Sequence, residues 1–335
     1  MQVNNQRVIM KRRPVGAPKI EDFDFVDEPL REPGRGEVLI RTSHIGLSPA
    51  ARIRMSGRDS YAPPLEIGET MYAPTVGIVL KSRHPEIAEG EWVTSSGGWQ
   101  TYSVCPGDDV QKFDVTLASP SSALGVFGTS GFTAWAGLRA AGGAKPGQTV
   151  VVAAASGSVG SLVCQIAALG GARVVGIAGG AEKCQRVTDE YRAEASVDYK
   201  SATLEQDLNA ACPDGVDLYF DNVGGRVRDA VVRHMAQAGR VLVCGLISEY
   251  NDSSDASGPP WFPILAKRLR VQGFLLRDHW SLRDQFLGEM AGWVREGRVR
   301  YAEEIHEGLS SAPQAFINML AGRNRGKSIV RLRVD

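Results

Sequence analysis

The 335-residue chain has no excess of charge of either sign: Lys and Arg number 38, Asp and Glu number 38, and the formal net charge is zero. Nothing in that balance would neutralise a nucleic-acid backbone or an anionic bilayer, so neither is expected as a partner. Cysteine is scarce. The five thiols, at Cys105, Cys164, Cys184, Cys212 and Cys244, are odd in number and do not read as a disulfide framework, which points to a reducing, cytoplasmic setting. No stretch approaches the roughly 20 unbroken apolar residues that a membrane span needs. The polar start, Met1-Gln2-Val3-Asn4-Asn5-Gln6-Arg7, has no apolar run behind it. Glycine, by contrast, is abundant at 38 residues, and it is clustered.

The length suggests two domains. From Arg7 to about Leu124 the chain reads as short strands, such as 37–42, 76–80 and 91–94, punctuated by Pro33-Gly34, Pro63-Pro64 and Gly97-Gly98. That pattern predicts an all-β, barrel-like domain. After Gly125 the pattern changes. Residues 148–154 form an apolar run without alternation, as expected of a strand covered on both faces, and a helix is expected over 158–169. Strands at 173–178, 216–220, 240–244 and 271–276 then alternate with helices at 182–191, 226–236 and 281–295. Alternation of this kind predicts a doubly wound parallel sheet, an α/β fold. Residues 251–260 read as an exposed loop. The final strand, 326–332, has no place that sequence alone assigns.

The segment Ala154-Ala155-Ser156-Gly157-Ser158-Val159-Gly160 lies between the best strand and the best helix. Small residues there allow a tight turn and close approach of a pyrophosphate to the N–H groups that open the helix. The motif is A-x-x-G-x-x-G, because Ala154 stands at the usual first glycine. The next strand ends Ala178-Gly179-Gly180, with no acid, and Lys183 follows. An acid there would hold the ribose hydroxyls of NAD, whereas an open turn beside a cation accepts a 2′-phosphate. The reading is therefore NADP(H), with a solvated helix-face lysine as the alternative for Lys183.

Residues across nearly the whole chain resemble the zinc-independent medium-chain dehydrogenase/reductases, in the leukotriene B4 12-hydroxydehydrogenase/prostaglandin reductase branch with the curcumin and double-bond reductases. The carriers are residues 60–69 (SYAPPLEIGE), 97–100 (GGWQ), 131–134 (GFTA), 175–184 (VGIAGGAEKC), 219–225 (YFDNVGG) and 244–251 (CGLISEYN). The resemblance implies a Rossmann domain over 126–302 and a GroES-like β-barrel domain over 1–125. Residues 303–335 would complete the latter, and the active site would lie in the cleft. It places Gly157, Ser158, Val159 and Gly160 at the pyrophosphate, and Gly179, Lys183 and Tyr199 at the 2′-phosphate. Asn222, Cys244, Gly245, Leu246, Ile247, Ser248, Tyr250, Phe274, Leu275, Leu276, Thr129, Thr133 and Asn324 would line the rest, with Asn324 near the nicotinamide. Relatives are commonly homodimers.

No metal site is expected. Residues 1–150 hold one cysteine, Cys105, and neither His44 nor His84 has a Gly-His-Glu context. Reduction of a polarised C=C bond in an enone or enal fits better than alcohol oxidation. Tyr250, and after it Tyr61, are the candidate proton donors. A quinone or carbonyl/alcohol oxidoreductase on the same scaffold, or a non-catalytic NADP(H)-binding redox sensor, remain as alternatives. Two departures from the family pattern bear on substrate range: Ala50 stands where relatives have tyrosine, and Thr129 where methionine is common. Residues 260–263 (PWFP) are read as core packing, with a wall of the cleft as the other reading.

Overall fold

The computed structural model describes residues 4–58, 60–251 and 258–332. The chain divides into two compact units, one formed by Met1–Gly125 with Glu303–Asp335 and the other by Val126–Ala302.

The first unit opens with an antiparallel ribbon of β1 (Asn4–Met10) and β2 (Phe23–Pro29). It continues through β3 (Glu37–Gly46), the short helix α1 (Ala50–Met55), β4 (Thr75–Ser82), β5 (Trp92–Ser95), β6 (Tyr102–Pro106) and β7 (Gln111–Lys112). In the second unit the helix α2 (Thr129–Ala140) precedes β8 (Thr149–Ala153), α3 (Gly160–Leu169), β9 (Arg173–Ala178), α4 (Ala181–Glu190) and β10 (Ala195–Asp198). Then come α5 (Leu204–Ala211), β11 (Val216–Asp221), α6 (Gly225–His234), β12 (Met235–Val243), α7 (Trp261–Lys267), β13 (Arg270–Gly273) and α8 (Arg283–Arg295). The chain returns to the first unit with β14 (Glu303–Glu307), α9 (Ala312–Leu320) and β15 (Lys327–Arg331).

The last strand finds its place by pairing antiparallel with β3 and parallel with β14, in a sheet ordered β14-β15-β3-β4-β5-β7 with β6 also on β3. Phe316 of α9 packs edge-on to Trp99, which stacks on Phe23, so the C-terminal segment is part of this unit's core. Lys327 is buried and donates to the Leu47 carbonyl at 2.8 Å. Burial pulls its ammonium down to about 8.

The second unit holds a six-stranded parallel sheet ordered β10-β9-β8-β11-β12-β13. Its centre is β8, where Val150, Val151, Val152 and Ala153 are fully buried, which explains the lack of alternation in the sequence. Strand order reverses beside β8, and in such sheets ligands bind where the carboxyl ends of the strands diverge. The helices at 182–191 and 226–236 begin and end within two residues of expectation. The short β10 and α5, together with α2 and α7, were not anticipated from the sequence.

The expectation of core packing at residues 260–263 does not hold. Trp261 and Phe262 are 71% and 78% exposed, and no residue of α7 is buried, so 260–263 is not core packing. Residues 252–257, in the expected loop, lie outside the described residues.

Candidate functional site

The turn after β8 is built on close backbone contact. Ala154 has φ +52°, the left-handed conformation that explains why glycine is usual at this position. Its carbonyl accepts from Gly157 N at 2.9 Å. A Cβ on Gly160 would stand 2.2 Å from that same carbonyl oxygen and 2.9 Å from Ala155 Cα, so only glycine lets α3 start this close to the strand. Ser158 and Val159 lead directly into α3, at the end where helical N–H groups lack intrahelical acceptors and the dipole favours an anion.

At the end of β9 the Gly179-Gly180 turn is covered on one side by Tyr199: a Cβ on Gly179 would meet the Tyr199 ring at 2.7 Å. Lys183 is partly buried in the first turn of α4. The structure therefore brings Gly179 and Tyr199 together, with Lys183 in the helix turn that follows. It also adds a residue the sequence reading missed. Asp198, the last residue of β10, extends its carboxylate across to this turn, where Oδ1 accepts from Gly180 N and Lys200 N, each at 2.9 Å. These backbone donors hold the carboxyl below its usual range. The strand end has no acid of its own, but the neighbouring strand supplies one.

At the end of β11, Asn222 Nδ2 donates to the Ala153 carbonyl at 2.9 Å and ties this strand to the turn after β8. Beneath it lies Asp221, fully buried. Its Oδ1 accepts from the Tyr219 hydroxyl, Val223 N and Gly224 N, each at 2.9 Å, while Oδ2 has no hydrogen-bond partner among the described residues. Burial raises this carboxyl. The segment 244–250 folds onto the same turn. Cys244 N and Gly245 N donate to the Asp221 carbonyl, Ser248 Oγ donates to the Val223 carbonyl at 2.7 Å, and Glu249 Oε1 accepts from Gly225 N and Arg228 Nη1. The acceptor roles of Asp221 and Glu249 are not visible in the sequence, because they need partners that only the fold identifies.

Leu246 N donates to the Tyr250 hydroxyl at 3.0 Å, so Tyr250 braces its own loop. The hydroxyl accepts in that bond, which does not consume its proton. Leu246 and Ile247 form the middle of this loop, both partly buried. Burial pushes the Cys244 thiol up to about 12, which makes it a poor nucleophile. Phe274 continues from β13 and donates through its N–H to the Val243 carbonyl; its ring stacks on His279 at 5.0 Å, ahead of partly buried Leu275 and Leu276. Thr129 and Thr133 lie in the first turns of α2, exposed and partly buried respectively. Two of the expected residues belong to the first unit: Tyr61, 45% exposed, and Asn324, whose Nδ2 donates to the Gly326 carbonyl. Among the described residues no three His, Cys, Asp or Glu side chains group to hold a metal ion, and no helix is long and apolar enough to cross a membrane.

Comparison with known proteins follows the same division of the chain. Residues 6–113 match the family described as N-terminal domain of oxidoreductase, and residues 158–292 match that described as zinc-binding dehydrogenase. The chain is 43% identical over 337 residues to the NADPH-dependent curcumin reductase of Escherichia coli (strain K12), covering 99% of this chain and 98% of that protein. It is 36% identical to the 2-alkenal reductase (NADP(+)-dependent) of Nicotiana tabacum, with 98% of each chain covered. The crystal structure of CurA in complex with NADPH from Vibrio vulnificus superposes with a TM-score of 0.94 at 41% identity, covering 98% of this chain and 100% of that one. With the glycine turn at the switch point of a parallel sheet and likeness along the full chain, the protein belongs to the medium-chain dehydrogenase/reductase family of oxidoreductases, in the zinc-independent branch of the curcumin, alkenal and prostaglandin reductases.

Proposed function

We propose that the protein reduces the activated C=C bond of α,β-unsaturated ketones and aldehydes with NADPH. The observation that carries this reading is near-full-length similarity to relatives named as an NADPH-dependent curcumin reductase and a 2-alkenal reductase. The second unit fits the cofactor on its own evidence. The Gly160 position tolerates no Cβ, Gly180 has open space beside it where Tyr199 covers Gly179, and Lys183 stands in the helix turn that follows.

When bound, NADPH supplies a hydride to the substrate β-carbon and leaves as NADP⁺. The chain's task is to orient that cofactor and to manage a proton. Gly157, Ser158, Val159 and Gly160 receive the pyrophosphate; Gly179, Lys183 and Tyr199 receive the 2′-phosphate; Asn222, Cys244 to Ser248, Tyr250, Phe274 to Leu276, Thr129, Thr133 and Asn324 line the remainder. Tyr250, or Tyr61, supplies the α-carbon proton. The partner reading is a homodimer. Its support is β13, an edge strand exposed at every residue, beside the exposed Trp261, Phe262 and Leu265 of α7.

Two measurements test the reading. With enones, enals and quinones offered in parallel, enones and enals should consume NADPH and yield saturated ketones and aldehydes, and NADH should serve less well. Turnover confined to quinones would contradict the assignment. Tyr250→Phe should slow turnover on the order of 100-fold, the usual worth of a positioned acid, with a far smaller change in the KM for NADPH. Unchanged turnover would remove Tyr250 as the proton donor.

A further inference from the structure

The Gly179-Gly180 turn is where a doubly wound fold separates NAD from NADP, through an acid at the end of the second strand. In this chain that strand end is bare, and the acid arrives from the third. Asp198 is tethered at the turn, because the same oxygen, Oδ1, accepts from both the Gly180 and Lys200 amides. Tyr199, its neighbour in the chain, lies against Gly179, so the carboxylate and the ring close the same corner. The turn needs one acceptor oxygen at that point; it has no use for the negative charge that comes with it, and that charge would oppose a dianionic 2′-phosphate held at the same turn.

We propose that Asp198 is a specificity-determining residue for the cofactor: its Oδ1 shapes the adenosine-ribose turn, and its fixed charge holds down the preference for a 2′-phosphate that Lys183 and Tyr199 create. This rests on the NADP(H) reading above. The two roles separate in one substitution. Asp198→Asn keeps an oxygen that can accept both amides and removes the charge, whereas Asp198→Glu keeps the charge.

The test is equilibrium binding of NADPH, NADH and 2′,5′-ADP by fluorescence titration or calorimetry, with no turnover required. Asp198→Asn should bind NADPH and 2′,5′-ADP about 3- to 10-fold more tightly, the effect of one opposing unit charge at short range in partly solvated surroundings, with NADH unchanged. Asp198→Glu should show no such gain. Asp198→Thr, which also offers an uncharged acceptor, asks the same question if the asparagine variant folds poorly. Lys183→Ala should weaken NADPH and 2′,5′-ADP and spare NADH. If Lys183→Ala behaves so while Asp198→Asn binds 2′-phosphates no better than the parent, Asp198 is only a turn-former and the proposal falls alone. If the parent binds 2′,5′-ADP no better than 5′-ADP and Lys183→Ala changes nothing, the NADP(H) reading falls and takes the proposal with it.

Discussion

Gly160→Ala should abolish useful cofactor binding while costing stability on the order of 2 kcal/mol, the range for forcing one extra carbon into a packed site. The reason is specific to the contact. The added methyl would meet the Ala154 carbonyl oxygen at 2.2 Å, the Ala154 carbonyl carbon at 2.8 Å and Ala155 Cα at 2.9 Å, all of them backbone atoms that cannot rotate aside. Relief requires the start of α3 to move off β8, which pulls the helix N–H groups away from the pyrophosphate position. The affinity for NADPH should fall by at least about 100-fold, or roughly 2.7 kcal/mol. Gly157→Ala is the internal comparison, since its methyl would lie 3.1 Å from the same oxygen and at an ordinary φ. It should be clearly milder in denaturant titration. Parental affinity and stability in Gly160→Ala would show that the turn is not a pyrophosphate cradle.

Asp221→Ala leaves the Tyr219 hydroxyl, Val223 N and Gly224 N without their shared acceptor in a buried place. At about 1–3 kcal/mol for each buried donor left unpaired, partly offset by relaxation, the loss should be roughly 3–5 kcal/mol. Asp221→Asn should be far gentler, because an amide oxygen can take over at Oδ1 and the amide nitrogen replaces an oxygen that has no partner among the described residues. The pH dependence follows from the direction of the shift. The folded-state pKa is raised above the unfolded value of 3.8, so the folded protein keeps this proton to higher pH than the unfolded chain does. Its contribution to stability therefore falls as pH rises from the unfolded value through the folded one. Chemical denaturation across that window should show Asp221→Asn gaining on the parent as pH increases. A constant difference would mean that Asp221 titrates alike in both states.

Much of this architecture was legible in the chain. The run over 148–154 has no alternation because β8 is covered on both faces, and the glycine segment was placed correctly because strand and helix bracket it. What escaped has physical reasons. The strand β10 is only four residues, Ala195–Asp198, with one fully buried side chain, Val197, too short to display a period. Missing it hid Asp198, whose link to Gly180 spans 18 residues of sequence. The aromatic pair Trp261-Phe262 suggested a core, since apolar side chains usually pack inward, yet both lie on the surface. Asp221 stands in a segment that carried the family resemblance, but nothing in sequence marks a carboxylate as the shared acceptor of three donors.

Reduction of a C=C bond by hydride transfer to the β-carbon is read out by NADPH deuterated at nicotinamide C4, one enone substrate, and product analysis by NMR and mass spectrometry. The expected product is a saturated ketone with deuterium at the β-carbon and a solvent-derived hydrogen at the α-carbon. An allylic alcohol carrying deuterium at the former carbonyl carbon would contradict it.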